Sequence, residues 1–302
     1  MNRLLIELVI GVGFLCYTSA DAAENGSSGG QLLKIGVGAR PAAMGEAFCG
    51  VNGDVNNIYY NPAGLAQIRN AQFSVNHQEW LDDLRHESIS YVRPWFDGVA
   101  GMSMACLTMD ELSGSNALGN TTGSFDANDM VAGVTYAKTL REHLAIGMGL
   151  KLLRQKIASE NATAISGDMG AILRLSKSLS LGTTVQNLGT KVKFVNESDS
   201  LPIIFKIGGA YRTPGDRLLV AVDANQPVDD DLRVNIGAEY QFINNTFAIR
   251  GGYKSGIDQG GVTAGAGFHI RNCRLDYAFV PYGGLGNTHR ISCSFGSFGT
   301  NQ

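Results

Sequence analysis

The sequence predicts an all-β fold, a 14-stranded antiparallel transmembrane β-barrel preceded by a short helical N-terminal segment. Three observations carry that prediction. Fourteen segments after Ala71 alternate apolar with small or polar residues at period two, and most have the roughly 9–11 residues that a tilted membrane strand needs. The connections between them alternate between short and long. Aromatic residues gather near the strand ends, on either side of a band of Leu, Ile, Val and Met. The composition agrees. Of 302 residues 39 are Gly, 17% are charged, and the mean hydropathy is −0.01. An ordinary soluble domain carries about 25% charged residues and roughly 7% Gly.

Residues 1–23 read as a secretory signal peptide. Arg3 supplies the positive start, Leu4–Leu15 the apolar core (interrupted by Glu7), and Ala20-Asp21-Ala22 a small-residue cleavage site. The core is too short to span a membrane as a helix. Leu15 is bulky where a lipidation signal wants a small residue, so Cys16 is expected to leave with the signal. Cys49, Cys106, Cys273 and Cys293 remain. A net charge of −3, a pI near 6.0 and the lack of a basic run point away from nucleic acid.

In the next segment, residues 24–70, the stretch DVNNIYYNPAGLAQI (Asp54–Ile68) carries a helix-start signal. Asn61 is placed to cap, and Pro62 suits a first helical turn because its missing N–H is not needed there. Ala63–Ile68 continue that helix, and Asp54 is placed to cap a preceding turn bearing Ile58, Tyr59 and Tyr60. Gly36, Gly38, Gly45, Gly50 and Gly53 permit close backbone packing. Gly36-Val-Gly38 lacks the third glycine and the βαβ context of a dinucleotide site.

The strands are expected at 71–80, 85–95, 98–109, 129–139, 143–155, 164–175, 177–187, 203–212, 217–225, 233–242, 245–254, 261–270, 273–280 and 288–298. One face is apolar throughout, as in Leu144/Ile146/Met148/Leu150/Leu152 and Val234/Ile236/Ala238/Tyr240. The other is small or polar, as in Asn235/Gly237/Glu239. Connections after even strands are short, such as Phe96-Asp97, Ile243-Asn244 and Arg271-Asn272. Those after odd strands are mostly longer, notably Asp110–Asn128, Lys156–Thr163, Leu188–Pro202 and Gln226–Leu232. Membrane barrels alternate short turns with long outer loops in this way, and a sandwich has no reason to. With the first strand running outward, Trp95, Tyr136, Tyr211, Tyr240, Phe268 and Phe295 fall at the short-turn end and Trp80, Tyr253 and Phe279 at the other. The barrel is thus assigned to residues 71–302.

The stretch KIGVGARPAAMGEAFCGVNGDVNNIYYNPAGLAQI (Lys34–Ile68) resembles the N-terminal signature of the PorV/PorQ family, relatives of the FadL-type outer-membrane transporters. The stretch LDYAFVPYGGLGNTHRISCSF (Leu275–Phe295) resembles that family's closing hairpin, and SVNHQEWLDDLRHESISYVRP and LRVNIGAEY are similar in type. The resemblance runs from about Lys34 to Phe298. It implies a fourteen-stranded barrel of the cell outer membrane, set in outer-membrane lipid, with residues 24–70 folded into the lumen as a hatch. Tyr59, Tyr60, Asn61, Pro62, Ala63 and Gly64 are then the hatch motif. It also implies a transporter of long-chain fatty acids or other hydrophobic small molecules, with no enzymatic activity. The alternative from the PorV side is a protein that binds and shuttles exported proteins in a secretion system. Its binding surface would be the outer loops Asp110–Asn128 and Leu188–Pro202. At 302 residues the chain is short for either relative, which trims those loops. A barrel with a structural role alone is a third reading.

By parity the inward charges are Lys151, Asp168, Arg174, Lys206, Arg212, Asp223, Glu239, Arg250, Lys254, Arg274 and Asp276. This mixed set lacks the single sign of an ion-selective ring. It suits a clamp of ion pairs on the hatch, a polar route, or recognition of a carboxylate. For an anionic headgroup Arg250 and Lys254 are the candidates, since guanidinium matches carboxylate geometry. No metal and no cofactor are expected. Leu81–Glu87 and Asp229–Asp231 read as solvated loops without paired-His spacing, and His77, His143, His269 and His289 are scattered. Cys273 and Cys293 share the outward face of adjacent strands and read as two small apolar side chains, with a disulfide between them as the alternative in an oxidising envelope.

Overall fold

The computed structural model describes residues 28–296 except 82–83, 110–111, 116–120, 126, 158–159, 195–196 and 257–260. Residues 1–23, expected to be a signal peptide, Asp82, Asp83 and parts of the Asp110–Asn128 connection therefore lie outside the described residues. Fourteen antiparallel strands close into one barrel. They are β1 Gln72–Glu79, β2 Arg85–Trp95, β3 Gly98–Thr108, β4 Ala127–Arg141, β5 Leu144–Ile157, β6 Glu160–Arg174 and β7 Leu179–Gly189. The other seven are β8 Ile204–Arg212, β9 Leu218–Pro227, β10 Arg233–Phe242, β11 Phe247–Lys254, β12 Val262–Ile270, β13 Cys273–Pro281 and β14 Asn287–Gly296. Each pairs with its neighbours in sequence, and β1 closes the ring against β14 with Gln72 opposite Gly296 and Glu79 opposite His289.

Period-two alternation produced these strands, and its sense is inverted relative to a soluble protein. Outward residues are large and apolar: Leu150, Met148 and Ile165 are 64%, 61% and 57% exposed. Inward residues are polar and buried, as at Ser74, Ser294, Glu239 and Asp276. Soluble folds bury the apolar face and expose the charged one.

The Lys156–Thr163 connection differs from expectation. β5 and β6 run on through it, and Ile157 pairs with Glu160. The alternation persists there with polar residues outward and Ala162 and Ala164 buried against Leu32 and Leu153, so a strand pair looks like a hydrophilic loop. The other end keeps short turns. Trp95 pairs with Gly98 and Ile270 with Cys273, leaving two-residue turns in which Phe96 and Arg271 take φ of 52°. Such turns need positive φ to match the strand twist.

Aromatic side chains cluster at this turn end: Trp95 packs on Phe96 and Tyr136, and Phe247 lies between Phe242 and Phe268. Trp80, expected among the outward aromatics at the loop end, turns inward instead. It meets Tyr282 edge-on and carries the Arg290 guanidinium over its ring. Cys273 and Cys293 are free thiols on diagonal positions, with Cys273 opposite Phe295 and Leu275 opposite Cys293.

The N-terminal segment fills the lumen. At the loop end the Gly29 N–H donates to Ser200 O at 3.0 Å. A helix α1, Ala39–Ala43, then packs on β11–β14. A second short helix, α2 (Asn57–Tyr60), leads to a 3-10 turn, Pro62–Gln67, against β3–β6. Ile68 ends among Val92, Val99 and Ala137, one step before β1. The hydrophobic clusters lie between this segment and the wall, so the core of the molecule sits inside its barrel.

Candidate functional site

Each residue of the Tyr-Tyr-Asn-Pro-Ala-Gly stretch has a definite task. Asn61 Oδ1 accepts from Ala63 N at 3.1 Å, the expected cap, and its Nδ2 donates to Cys49 O at 2.8 Å. Pro62 opens the turn, which is a 3-10 turn rather than the α-helix expected. At Gly64 a Cβ would meet Asn57 Nδ2 at 2.4 Å, so glycine there is required by the neighbour. The Tyr59 hydroxyl donates to Ile89 O at 3.2 Å, and the Tyr60 ring packs on Phe48 at 5.4 Å. Asp54 caps the turn ahead of α2, as expected. Its Oδ1 accepts from Asn56 N at 2.8 Å, before the helix, leaving Oδ2 for two arginines.

Close approach between segment and wall also depends on wall glycines. A Cβ at Gly182 would lie 2.1 Å from Cys49 O, and one at Gly237 2.3 Å from Met44 O. Gly147, Gly170 and Gly252 face Pro62, Asn61 and Gly45 in the same way. Only residues without a side chain let backbone lie on backbone here.

Charge fixes the segment further. Arg40 grips Glu239 with two hydrogen bonds of 2.7 Å and Asp54 Oδ2 with a third of 2.7 Å. Arg250 pairs with Glu239 at 2.6 Å and Asp276 at 2.9 Å, and Arg274 joins Asp276 at 2.9 Å to Asp54 at 2.8 Å. Three guanidinium groups and three carboxylates thus form a closed, electrically balanced ring linking α1 and the α2 approach to β10, β11 and β13. A second anchor is Glu46, 2.9 Å from Lys254 and 3.5 Å from Arg290, whose Nη1 also donates to Gly36 O at 2.8 Å.

Burial alone would raise the Glu46 carboxyl, but Lys254 and Arg290 outweigh it and hold it at about 2. The Asp54 carboxyl is likewise held below its ordinary range, burial being outweighed by Arg274 and Arg40. For Arg40, burial disfavours the charge, yet Glu239 and Asp54 keep the guanidinium protonated above its usual range. Buried charges persist where partners repay desolvation.

Arg250 and Lys254, the headgroup candidates, thus lie on the inward face with their charges turned to Glu239, Asp276 and Glu46. The sequence reading missed Arg40, Glu46 and Arg290. The signal was there for Arg290, which shares inward parity with Thr288, Ser292 and Ser294. Arg40 and Glu46 are lone charges in a Gly/Ala-rich stretch, and nothing in their spacing says what they meet. Asp229 and Asp230, in the loop expected to be solvated, pair with Lys34 and Arg233.

Between the Leu32–Val37 stretch, the two tyrosines and the β2–β8 wall lies a cavity of about 70 Å³, bordered by Leu33, Ile35, His86, Lys151, Asp168, Ile204 and Lys206. It is below the roughly 150 Å³ that admits benzene in an engineered protein cavity. This cavity is too small for a molecule of that size.

Solved structures of similar shape are barrels. The Pseudomonas putida toluene transporter TodX has a TM-score of 0.65 at 14% identity, over 92% of this chain and 99% of that one. The Ralstonia pickettii toluene transporter TbuX gives 0.64 at 14% identity over 86% and 97%. A Pseudomonas aeruginosa FadL homologue gives 0.61 at 10% over 86% and 98%. Identities this low establish a shared fold, the FadL-type barrel. No curated protein matches the sequence significantly. Residues 17–298 match the sequence profile of an uncharacterised protein family, UPF0164, and the chain belongs to that family.

Proposed function

We propose that the chain is an outer-membrane channel for passive uptake of hydrophobic small molecules, long-chain fatty acids among them. Residues 1–23 act as the export signal, 24–70 as the hatch and 71–302 as the barrel. The observation that carries this reading is a lumen filled by the chain's own ion-clamped segment inside a barrel whose outer face is apolar. On β5 the outward run Leu144, Ile146, Met148, Leu150 and Leu152 rises about 20–25 Å for a strand tilted near 40°, close to the hydrocarbon band of an outer membrane. A filled lumen is no open aqueous pore, so the cargo is one that leaves water readily. Two structures of similar shape carry toluene transporters in name, which supports cargo of that class.

The protein-shuttle reading rests on the resemblance to the PorV/PorQ family. The described parts of the outer loops offer it two small hairpins, Leu112–Ser115 with Thr121–Phe125 and Val192–Phe194 with Glu197–Asp199.

The test is binding of a fluorescent fatty acid to the refolded, detergent-solubilised protein, with and without residues 24–68. Saturable binding that depends on those residues supports a hatch-gated transporter. A folded barrel that binds neither fatty acid nor toluene would move the weight to a protein partner.

A further inference from the structure

We propose that the short-turn end of the barrel carries a seat for the phosphate of an anionic phospholipid, built from Arg217 and the turn at residues 243–245. The proposal rests on the reading of the chain as a membrane barrel and not on what that barrel carries.

A cavity of about 450 Å³ opens between the β8–β9 turn and the β10–β11 turn. Gly215 and Arg217 border it on one side and Asn244 and Asn245 on the other, with Tyr240 and Phe242 at the lipid-facing flank. Ile243, Asn244 and Asn245 follow one another at φ of 51°, 52° and 64°. Asparagine accepts that left-handed conformation, whereas a β-branched isoleucine is strained in it. The N–H groups of Asn244 and Asn245 meet no acceptor among the described residues, and successive N–H groups of a turn form a hollow that binds anions.

Arg217 is exposed and has no ion-pair partner among the described residues. A guanidinium matches two phosphate oxygens at once. The carboxylate of the same turn, Asp216, lies 3.8 Å from Arg212 and does not border the cavity. Glu239, on the strand beside it, is bound by Arg40 and Arg250.

The surroundings select the same chemistry. Arg93, Arg141, Lys177 and Arg271 are also exposed at this end without an ion-pair partner among the described residues. Its carboxylates are fewer, and Asp97, Glu142 and Asp216 lie beside Lys138, His143 and Arg212. An anion is therefore drawn to this end. Phe242, Phe247 and Phe268 pack together next to the cavity, and such an aromatic belt lies where hydrocarbon gives way to headgroups. The anion at that level of a membrane is a lipid phosphate.

The experiment mixes refolded full-length protein in detergent with equal amounts of dilauroyl phosphatidylglycerol and dilauroyl phosphatidylcholine. Native mass spectrometry reads which lipid is retained. Phosphatidylcholine carries the same phosphate beside a fixed cation, so we expect phosphatidylglycerol to be preferred. Arg217→Gln should cut that preference roughly 10-fold, the lower end of what a hydrogen bond to a charged group contributes. Arg217→Lys should cut it less, and Arg93→Gln, at the same end but away from the cavity, not at all. Equal losses for Arg217→Gln and Arg93→Gln would mean diffuse attraction and overturn the seat, as would a wild type without preference. Phosphorus line broadening of inorganic phosphate separates the free ion: Arg217-dependent broadening without a lipid preference overturns the assignment to lipid. Flotation with dilauroyl phosphatidylcholine vesicles tests the membrane reading by itself. A chain that floats and shows no preference loses only the seat, and one that does not float loses both.

Discussion

The two stretches of the luminal segment are held by different means, and the outer one is the less buried. From Ala39 to Leu65 the chain is fixed by the arginine–carboxylate ring, by Glu46 and by backbone laid on wall glycines. From Ser28 to Val37 it is held mainly by apolar contact, with Leu32 among Val131, Leu153, Ala162, Ala164, Val192 and Leu201, and by the Lys34–Asp229 pair near the mouth. Ion pairs and hydrogen bonds are directional and hold one register. Apolar contact is not directional and tolerates displacement. The difference assigns anchoring to the inner stretch and yielding to the outer one, with the cavity at the junction.

The largest expected effect tests the anchor. Glu239→Gln leaves Arg40 and Arg250 short of a buried partner, and breaking a buried pair costs about 3–5 kcal/mol. Denaturant unfolding of the refolded barrel measures it, and unchanged stability would mean the ring holds nothing. Leu32→Ala is expected to cost about 2–5 kcal/mol, but locally. Hydrogen exchange should accelerate over residues 28–37 and stay slow over 39–65; both stretches opening together would erase the distinction.

The Glu46 anchor is pH-dependent, on the order of 3 kcal/mol at most. Its carboxyl sits at about 2 in the folded state against 4.5 ordinarily. Its contribution is therefore complete above 4.5 and lost as pH falls toward 2. The stability gap between wild type and Glu46→Gln should close over that window, and a gap that widens on acidification would reverse the assignment. Gly182→Ala forces a methyl toward Cys49 O, an overpacking of about 1–3 kcal/mol visible as a lower unfolding midpoint. The smallest change, Tyr59→Phe, removes one hydrogen bond to Ile89 O, about 0.5–1.5 kcal/mol. A larger loss there would show that the tyrosine does more than hydrogen-bond to the wall.

What the sequence made legible follows from the range of each signal. The barrel was readable because alternation is local: a strand announces its faces within eight or ten residues. Parity alone put Lys151, Glu239, Arg250 and Asp276 inside. It failed at Lys156–Thr163, where polar outward residues look like a loop although Ala162 and Ala164 keep the inward pattern. The Asn61 cap was local and legible. The wall partners of Arg40, Asp54 and Glu46 were not, because they come from strands about two hundred residues away and depend on ring closure. The wall glycines were countable, but their role requires knowing that Cys49 and Met44 lie against them.

The segment crosses the lumen before the first strand begins, and the first strand pairs with the last. That order constrains birth as well as function. The seam between Gln72 and Gly296 joins opposite ends of the chain, so the sheet stays an open, curling ribbon until the final strand has arrived. During that interval the arginines and carboxylates of the ring face water rather than each other, and the glycine tracks on the wall are bare. Sealing the seam first would leave the segment to enter through a mouth, against many buried contacts still unmade. Sealing it last would let the wall close around contents already seated, so that the seam and the buried contacts of the segment form together.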